Sequence, residues 1–305
     1  LLYLFQMCNA FLVGTNNSRY MKYAFFTGAG LNIFLDYVLI NGHLGFPKLG
    51  FDGAAVASII AEAIALLVVT GIILYKKMPH RFGLFTHLSF HKPLASLIFR
   101  QSSPLVLQWL ISVVAWMLFF ILIEHYGEMP LAISNIMRNI FGVFGIFSWA
   151  FASTSNAMVS NIIGQDKKDK VEMLIKKIMW LSFGFTFFLC LLINVFPDLF
   201  LSIFHFKNEF IGEAIPVIRI VTVGMLAMSI ATVWLNAVTG TGNTRVNLLI
   251  EIAAIILYCI YIWLVLDVWK LSLVWAWASE LLYWTTLFTL SFLYIRSGKW
   301  RKKVI

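Results

Sequence analysis

Five ionisable side chains fall inside apolar stretches of this sequence: Asp36, Glu62, Arg138, Glu251 and Glu280. A charge facing hydrocarbon at mid-bilayer is unfavourable by roughly 2.5 to 3.5 kcal/mol on insertion scales, so each must face protein or water, or be neutral. Asn32 and Asp36 stand four residues apart, so on a helix both project from one face and can converge on a single ion or proton. Ser58 and Glu62 repeat that spacing in the next apolar segment. Asp36 lies one turn before the end of its segment near Ile40, and Ser58 follows soon after the chain returns, so the two pairs sit at compatible depths. A carboxylate placed there suits proton exchange or Na⁺ binding. The alternative is a silent polar contact between two helices, worth about 0.6 kcal/mol. A further stripe, Asn135, Arg138 and Asn139 at i, i+3 and i+4, either lines a substrate cavity or pairs with Glu251 or Glu280.

These residues need membrane helices to hold them. Hydrophobic residues make up 61% of the chain and charged ones 12%, with a mean hydropathy of +0.87, too little polar surface for a soluble globule. Apolar runs near the length of a bilayer span recur from end to end. Eight complete spans are predicted: Tyr23 to Ile40, Gly53 to Tyr75, Val106 to Ile123, Leu131 to Ser153, Ile178 to Val195, Ile215 to Val238, Val246 to Leu266, and Leu271 to Tyr294. A partial one precedes them at Leu1 to Val13, which is too short to cross and carries no initial Met, so a truncated N-terminus is expected. The fold class is an all-α polytopic membrane protein.

The net charge of +9 raises the question of nucleic acid, and its distribution answers it. Alternate gaps between spans collect the cations: Arg19 and Lys22; Lys76 to Arg100; Lys167 to Lys177; Arg245; and the tail from Arg296. The opposite gaps hold only Lys48, Lys207, Arg219 and Lys270. This asymmetry is the positive-inside rule, and it predicts a cytosolic C-terminus in a plasma (inner) membrane, with no nucleic-acid partner. Cys8, Cys190 and Cys259 are scattered through apolar segments and suit neither a disulfide framework nor zinc. His87 and His91 share a helical face at i, i+4 but have no Cys or carboxylate beside them, so residues 76–100 read as an amphipathic connector rather than a metal site. Trp234, Trp263, Trp269, Trp275, Trp277 and Trp284 read as interfacial belt and packing, the alternative being an aromatic cage.

Gly14-Thr15-Asn16-Asn17-Ser18-Arg19 recurs as Gly240-Thr241-Gly242-Asn243-Thr244-Arg245, each at the end of one helix and before another. Ala55-Val56-Ala57-Ser58 recurs as Ala276-Trp277-Ala278-Ser279. The last three helices thus echo the first three, the mark of a duplicated bundle. The expected organisation is residues 1–75 as the end of one lobe, 76–100 as a linker running into the next helix, and 94–305 as a complete six-helix lobe with a basic tail. The intact protein would be a two-lobe bundle of twelve helices.

The stretch Asn32-Ile33-Phe34-Leu35-Asp36-Tyr37-Val38-Leu39-Ile40, followed by Gly42, Gly45 to Gly50 and Gly53 to Ser58, resembles the fifth and sixth helices of the multidrug and toxic compound extrusion (MATE) family. Ile163-Gly164-Gln165 and Thr239 to Arg245 resemble that family's eighth and tenth helix endings. The resemblance implies a cation site in the first lobe at Asn32, Asp36 and Ser58, with Glu62 standing where Gln is common. It also implies an acidic partner on a helix upstream of this chain. Where one sodium-coupled branch carries acids on helices seven and ten, this sequence has Ser112 and Met228, so a second-lobe sodium site of that kind is not expected.

The expected function is secondary active export of small cationic or amphipathic organic compounds by alternating access, coupled to H⁺ or Na⁺, by a monomer in the lipid bilayer without a cofactor and with no metal beyond Na⁺ at Asp36. A lipid-linked oligosaccharide flippase of the same superfamily is the alternative; it calls for several basic cavity residues, and only Arg138 and Arg219 offer themselves. An enzyme is not expected, because no HExxH or paired catalytic motif is present and all six His lie in loops or near span ends.

Overall fold

The computed structural model describes residues 1–84, 89–203 and 211–302. His87, Lys207 and Lys303 of the charge and metal readings lie outside them. The described residues contain helices and no strand, and the chain divides into two compact units, Leu1–His91 and Lys92–Ile305.

The first unit comprises α1 (Leu2–Gly14), α2 (Met21–Asn41), α3 (Phe51–Tyr75) and the short α4 (Met78–Phe82). Along α3, Gly53, Ala57, Ala61, Ala65, Val69 and Ile73 recur every fourth residue and are all buried. Small residues at this spacing let helix backbones approach closely in a membrane. The approach is tightest at Gly53, where a Cβ would meet the Leu39 carbonyl carbon and oxygen at 2.8 Å. Phe5 and Leu12 of α1 complete an apolar cluster with Ala24, Val69 and Ile73.

The second unit comprises α5 (Lys92–Glu124), α6 (Glu128–Gly164), α7 (Val171–Val195), α8 (Pro197–Ile203), α9 (Ile211–Gly240), α10 (Thr244–Trp263) and α11 (Leu273–Arg296), with a π-type turn at Leu264–Val268. Helix α9 is apolar all round and packs against α6, α7 and α11, which makes it the buried axis of the unit. At Gly240 a Cβ would lie 2.7 Å from the Asn156 carbonyl oxygen of α6, so the residue must be glycine for the two helices to touch.

Seven helices among the described residues are long and apolar enough to cross a bilayer. The eighth predicted span exists as the 24-residue α11, but its Ser, Thr, Trp, Tyr and Glu content keeps it out of that set. Two spans run well beyond their predicted ends. Helix α5 begins at Lys92 and passes through Pro104, and α6 continues to Gly164 across a polar run. Membrane helices tolerate proline where neighbours satisfy the freed backbone group. The polar run persists because Ser155 is fully buried and donates to the Val233 carbonyl of α9 at 3.0 Å, an interhelical bond that hydropathy alone reads as a terminator.

The two repeat motifs form the same turn. Asn16 has φ 60° and Gly242 φ 75°, and Asn17 Nδ2 and Asn243 Nδ2 each donate at 3.1 Å to the hydroxyl of Thr15 and Thr241.

Candidate cation and substrate sites

In the first unit, α2 and α3 carry the predicted carboxylates. Asn32 Nδ2 donates to Ser58 Oγ at 3.4 Å, a long bond that nonetheless joins the two predicted pairs across the helix contact. Asp36 is half-buried, and its Oδ1 is enclosed with no hydrogen-bond partner. Glu62 is half-buried one turn beyond Ser58 and forms no hydrogen bond or ion pair among the described residues. An enclosed carboxylate oxygen without a donor is what a proton or cation would satisfy. Asn9 of α1 belongs to the same unit and was not singled out by its sequence; it is 4% exposed and neither amide atom is hydrogen-bonded.

The second unit holds a cavity of about 550 Å³ between α5, α6, α9, α10 and α11. Its size falls in the range of small-molecule pockets. Two buried acids line it, Glu251 at 2% and Glu280 at 5% exposure. Glu251 accepts from three donors: Gln108 Nε2 at 3.1 Å, Ser112 Oγ at 2.7 Å and the Tyr283 hydroxyl. Glu280 accepts from Trp284 Nε1 at 2.9 Å. The rings of Trp109, Trp116, Phe141, Trp149, Tyr258 and Tyr283 supply much of the remaining wall, and among the described residues no Lys, Arg or His lines it.

The polar stripe of α6 lies elsewhere. Asn135 donates to its own helix at Leu131 O, 3.0 Å, while Arg138 is exposed and stacks over Phe120 at 5.1 Å. Asn139 is exposed, and none of the three lines the cavity. The six tryptophans divide. Trp263, Trp269 and Trp275 are over half exposed, Trp234 and Trp277 are core, and Trp284 is a cavity wall residue.

Sequence reasoning marked Glu251 and Glu280 as intramembrane charges without assigning them. The signal that gathers them is helical spacing: Asn247, Glu251 and Tyr258 share one face of α10, and Glu280, Tyr283 and Trp284 share one face of α11. Ser112 and Met228, read as positions lacking a carboxylate, both line this cavity, and the acids arrive from other helices.

Comparison with known proteins follows the fold. The chain is 25% identical over 278 residues, 90% of its length and 59% of the relative's, to the probable multidrug resistance protein NorM of Thermotoga maritima. It is 26% identical over 210 residues, 68% of its length and 45% of the relative's, to the probable multidrug resistance protein YoeA of Bacillus subtilis. It thus spans about half the length of these curated relatives. A solved structure described as the outward-facing conformation of a multidrug resistance MATE family transporter of the MOP superfamily superposes with TM-score 0.85 at 18% identity, over 98% of this chain and 67% of the other. A profile of the MatE family matches residues 104–264, more than half the sequence, and the chain belongs to that family of multi-pass membrane transporters.

Proposed function

We propose that the protein is a secondary active exporter of small cationic or amphipathic organic compounds, driven by H⁺ or Na⁺ entry and working by alternating access in the plasma (inner) membrane with its C-terminus in the cytosol. The observation that carries this reading is the cavity of the second unit, where two buried carboxylates and a wall of aromatic rings stand, among the described residues, without one basic side chain. Such a wall attracts a desolvated organic cation through ring faces and full charge together. Membership of a transporter family and the multidrug-resistance names of its relatives support the same class. Asp36, with Asn32, Ser58 and Glu62, is the coupling site in this reading: cation or proton binding there shifts the balance between states, as any ligand with differential affinity must. The flippase alternative gains nothing from the cavity, since Arg138 and Arg219 are exposed residues outside its wall.

The experiment is transport of ethidium or norfloxacin in everted vesicles carrying the full-length protein. An imposed gradient should drive uptake in wild type, and Asp36→Asn should abolish it while leaving membrane insertion intact, because an amide keeps size and hydrogen bonding but cannot titrate. Undiminished gradient-driven uptake by the variant would remove Asp36 from the coupling role.

A further inference from the structure

We infer that one end of the first unit is a binding surface for an anionic phospholipid headgroup, formed by Arg19, Lys22, Lys76, Lys77 and Arg81. Helix α2 begins and α3 ends here, since Lys76 Nζ stands 5.4 Å from the centre of the Tyr20 ring. The Arg19 guanidinium lies over the same ring at 4.8 Å and donates from Nη2 to the Tyr20 hydroxyl at 2.9 Å. Tyr20 itself packs against the apolar cluster of α1 and α3, so two cations from different elements are gathered at one anchored ring. They are no farther apart than about 10 Å, roughly the Debye length in 0.1 M salt, and repel each other. A ring face orients cations but has no net charge with which to neutralise them.

Lys77, at φ 51°, turns the chain from α3 into α4. That short helix is tied to the unit by Met78, which is buried, and by Phe82, whose ring meets Phe11 of α1 edge-on at 5.5 Å. The Arg81 guanidinium stacks over Phe82 at 5.4 Å and is thereby held at the same end. All five cations are exposed, and among the described residues none forms an ion pair. The acids of the first unit lie elsewhere: Asp36 near the far end of α2, Asp52 at the start of α3, and Glu62 about 21 Å along α3 from Lys76. By contrast, Lys176 and Arg301 of the second unit meet Glu172 and Asp169, each at 2.8 Å. The level of the patch identifies its anion as a lipid. Cations that directly follow membrane-spanning helices face the phosphate layer, where each strengthens attraction to anionic headgroups roughly fivefold. Tyr23 and Tyr75 flank the patch at 53% and 82% exposure, as interfacial rings do. Phe26, one turn deeper than Lys22 on the same face of α2, is 78% exposed where an acyl chain would run.

The inference does not rest on export, so its test omits substrate. Full-length protein in detergent is mixed with equal amounts of phosphatidylglycerol and phosphatidylcholine of identical acyl chains, and the retained lipid is counted by native mass spectrometry. Using the full-length protein lets any carboxylate outside this chain compete for the patch. Wild type should retain phosphatidylglycerol at least tenfold over phosphatidylcholine, and the triple variant Arg19→Gln, Lys76→Gln, Arg81→Gln should bring that ratio close to one. Lys170→Gln, Lys177→Gln and Lys299→Gln together remove the same charge from the second unit and should leave the ratio within twofold of wild type. No preference in the wild type, or an equal loss in the two triple variants, overturns the surface. Should the patch variant fail to fold, Lys76→Gln alone decides: a several-fold lower ratio, restored by Lys76→Arg, is expected, and a ratio within twofold of wild type overturns the proposal.

Discussion

The contact between α2 and α3 sets the spacing of the predicted coupling residues, and Gly53→Ala tests it. The added Cβ would stand 2.8 Å from both the carbon and the oxygen of the Leu39 carbonyl and 3.1 Å from the Ile40 nitrogen. All three are backbone atoms in a helix, so no rotamer change relieves them. Ordinary carbon contacts begin near 3.5 Å, and the helices must part locally by about 0.7 Å. Overpacking of this kind costs roughly 1 to 3 kcal/mol. Alanine's better helix propensity returns at most about 1 kcal/mol, and less so close to a helix start. The net expectation is a loss of about 1 to 2 kcal/mol, or several degrees in unfolding midpoint at roughly 2 to 4 °C per kcal/mol. The Asn32 to Ser58 bond, already at 3.4 Å, has no slack and should break. Thermal unfolding in nanodiscs reads the first effect, and gradient-driven uptake reads the second. A variant that unfolds at the wild-type temperature and transports normally would refute the close approach and the coupling drawn from it.

The repeat supplies a paired test: Gly240→Ala, with its Cβ 2.7 Å from Asn156 O, should lower the unfolding midpoint, whereas Gly14→Ala, with nothing within 4 Å, should leave it unchanged. Ser112→Ala and Tyr283→Phe each remove one donor from Glu251 and should each destabilise by about 1.5 kcal/mol or more, with a double variant falling short of the sum because the two share one acceptor; equal midpoints for wild type and both variants would contradict the bonds. Asn243→Ala removes the donor to the Thr241 hydroxyl in the turn before α10 and should cost about 1 kcal/mol, measured by the same unfolding assay.

The membrane-helix class and the first-unit pairing were legible because they rest on local periodicity. Spacing of four residues put Asn32 with Asp36 and Ser58 with Glu62, and the small-residue pattern of α3 brings the pairs into contact. The cavity was not legible, because its wall is assembled from five helices and its acids are joined by residues over a hundred positions apart, such as Gln108 with Glu251. Periodicity along one helix carries no information about which neighbour faces it. Arg138 illustrates the converse: its intramembrane position and i, i+3, i+4 companions made it a candidate for the cavity or for Glu251, yet it lies exposed over Phe120. The length of α6 was misjudged for a related reason, since Ser155 is polar in sequence but satisfied by α9 in the fold.

The central claim is coupled exchange, and the most direct measurement follows both partners in one preparation. Purified full-length protein is reconstituted into proteoliposomes. An imposed inward-directed H⁺ or Na⁺ gradient is compared with no gradient, while ethidium movement and internal pH or Na⁺ are recorded together. The account predicts substrate movement against its own concentration gradient, opposite to the cation and in fixed ratio to it, lost in Asp36→Asn. Substrate that only runs downhill, at a rate indifferent to the imposed gradient, would contradict it.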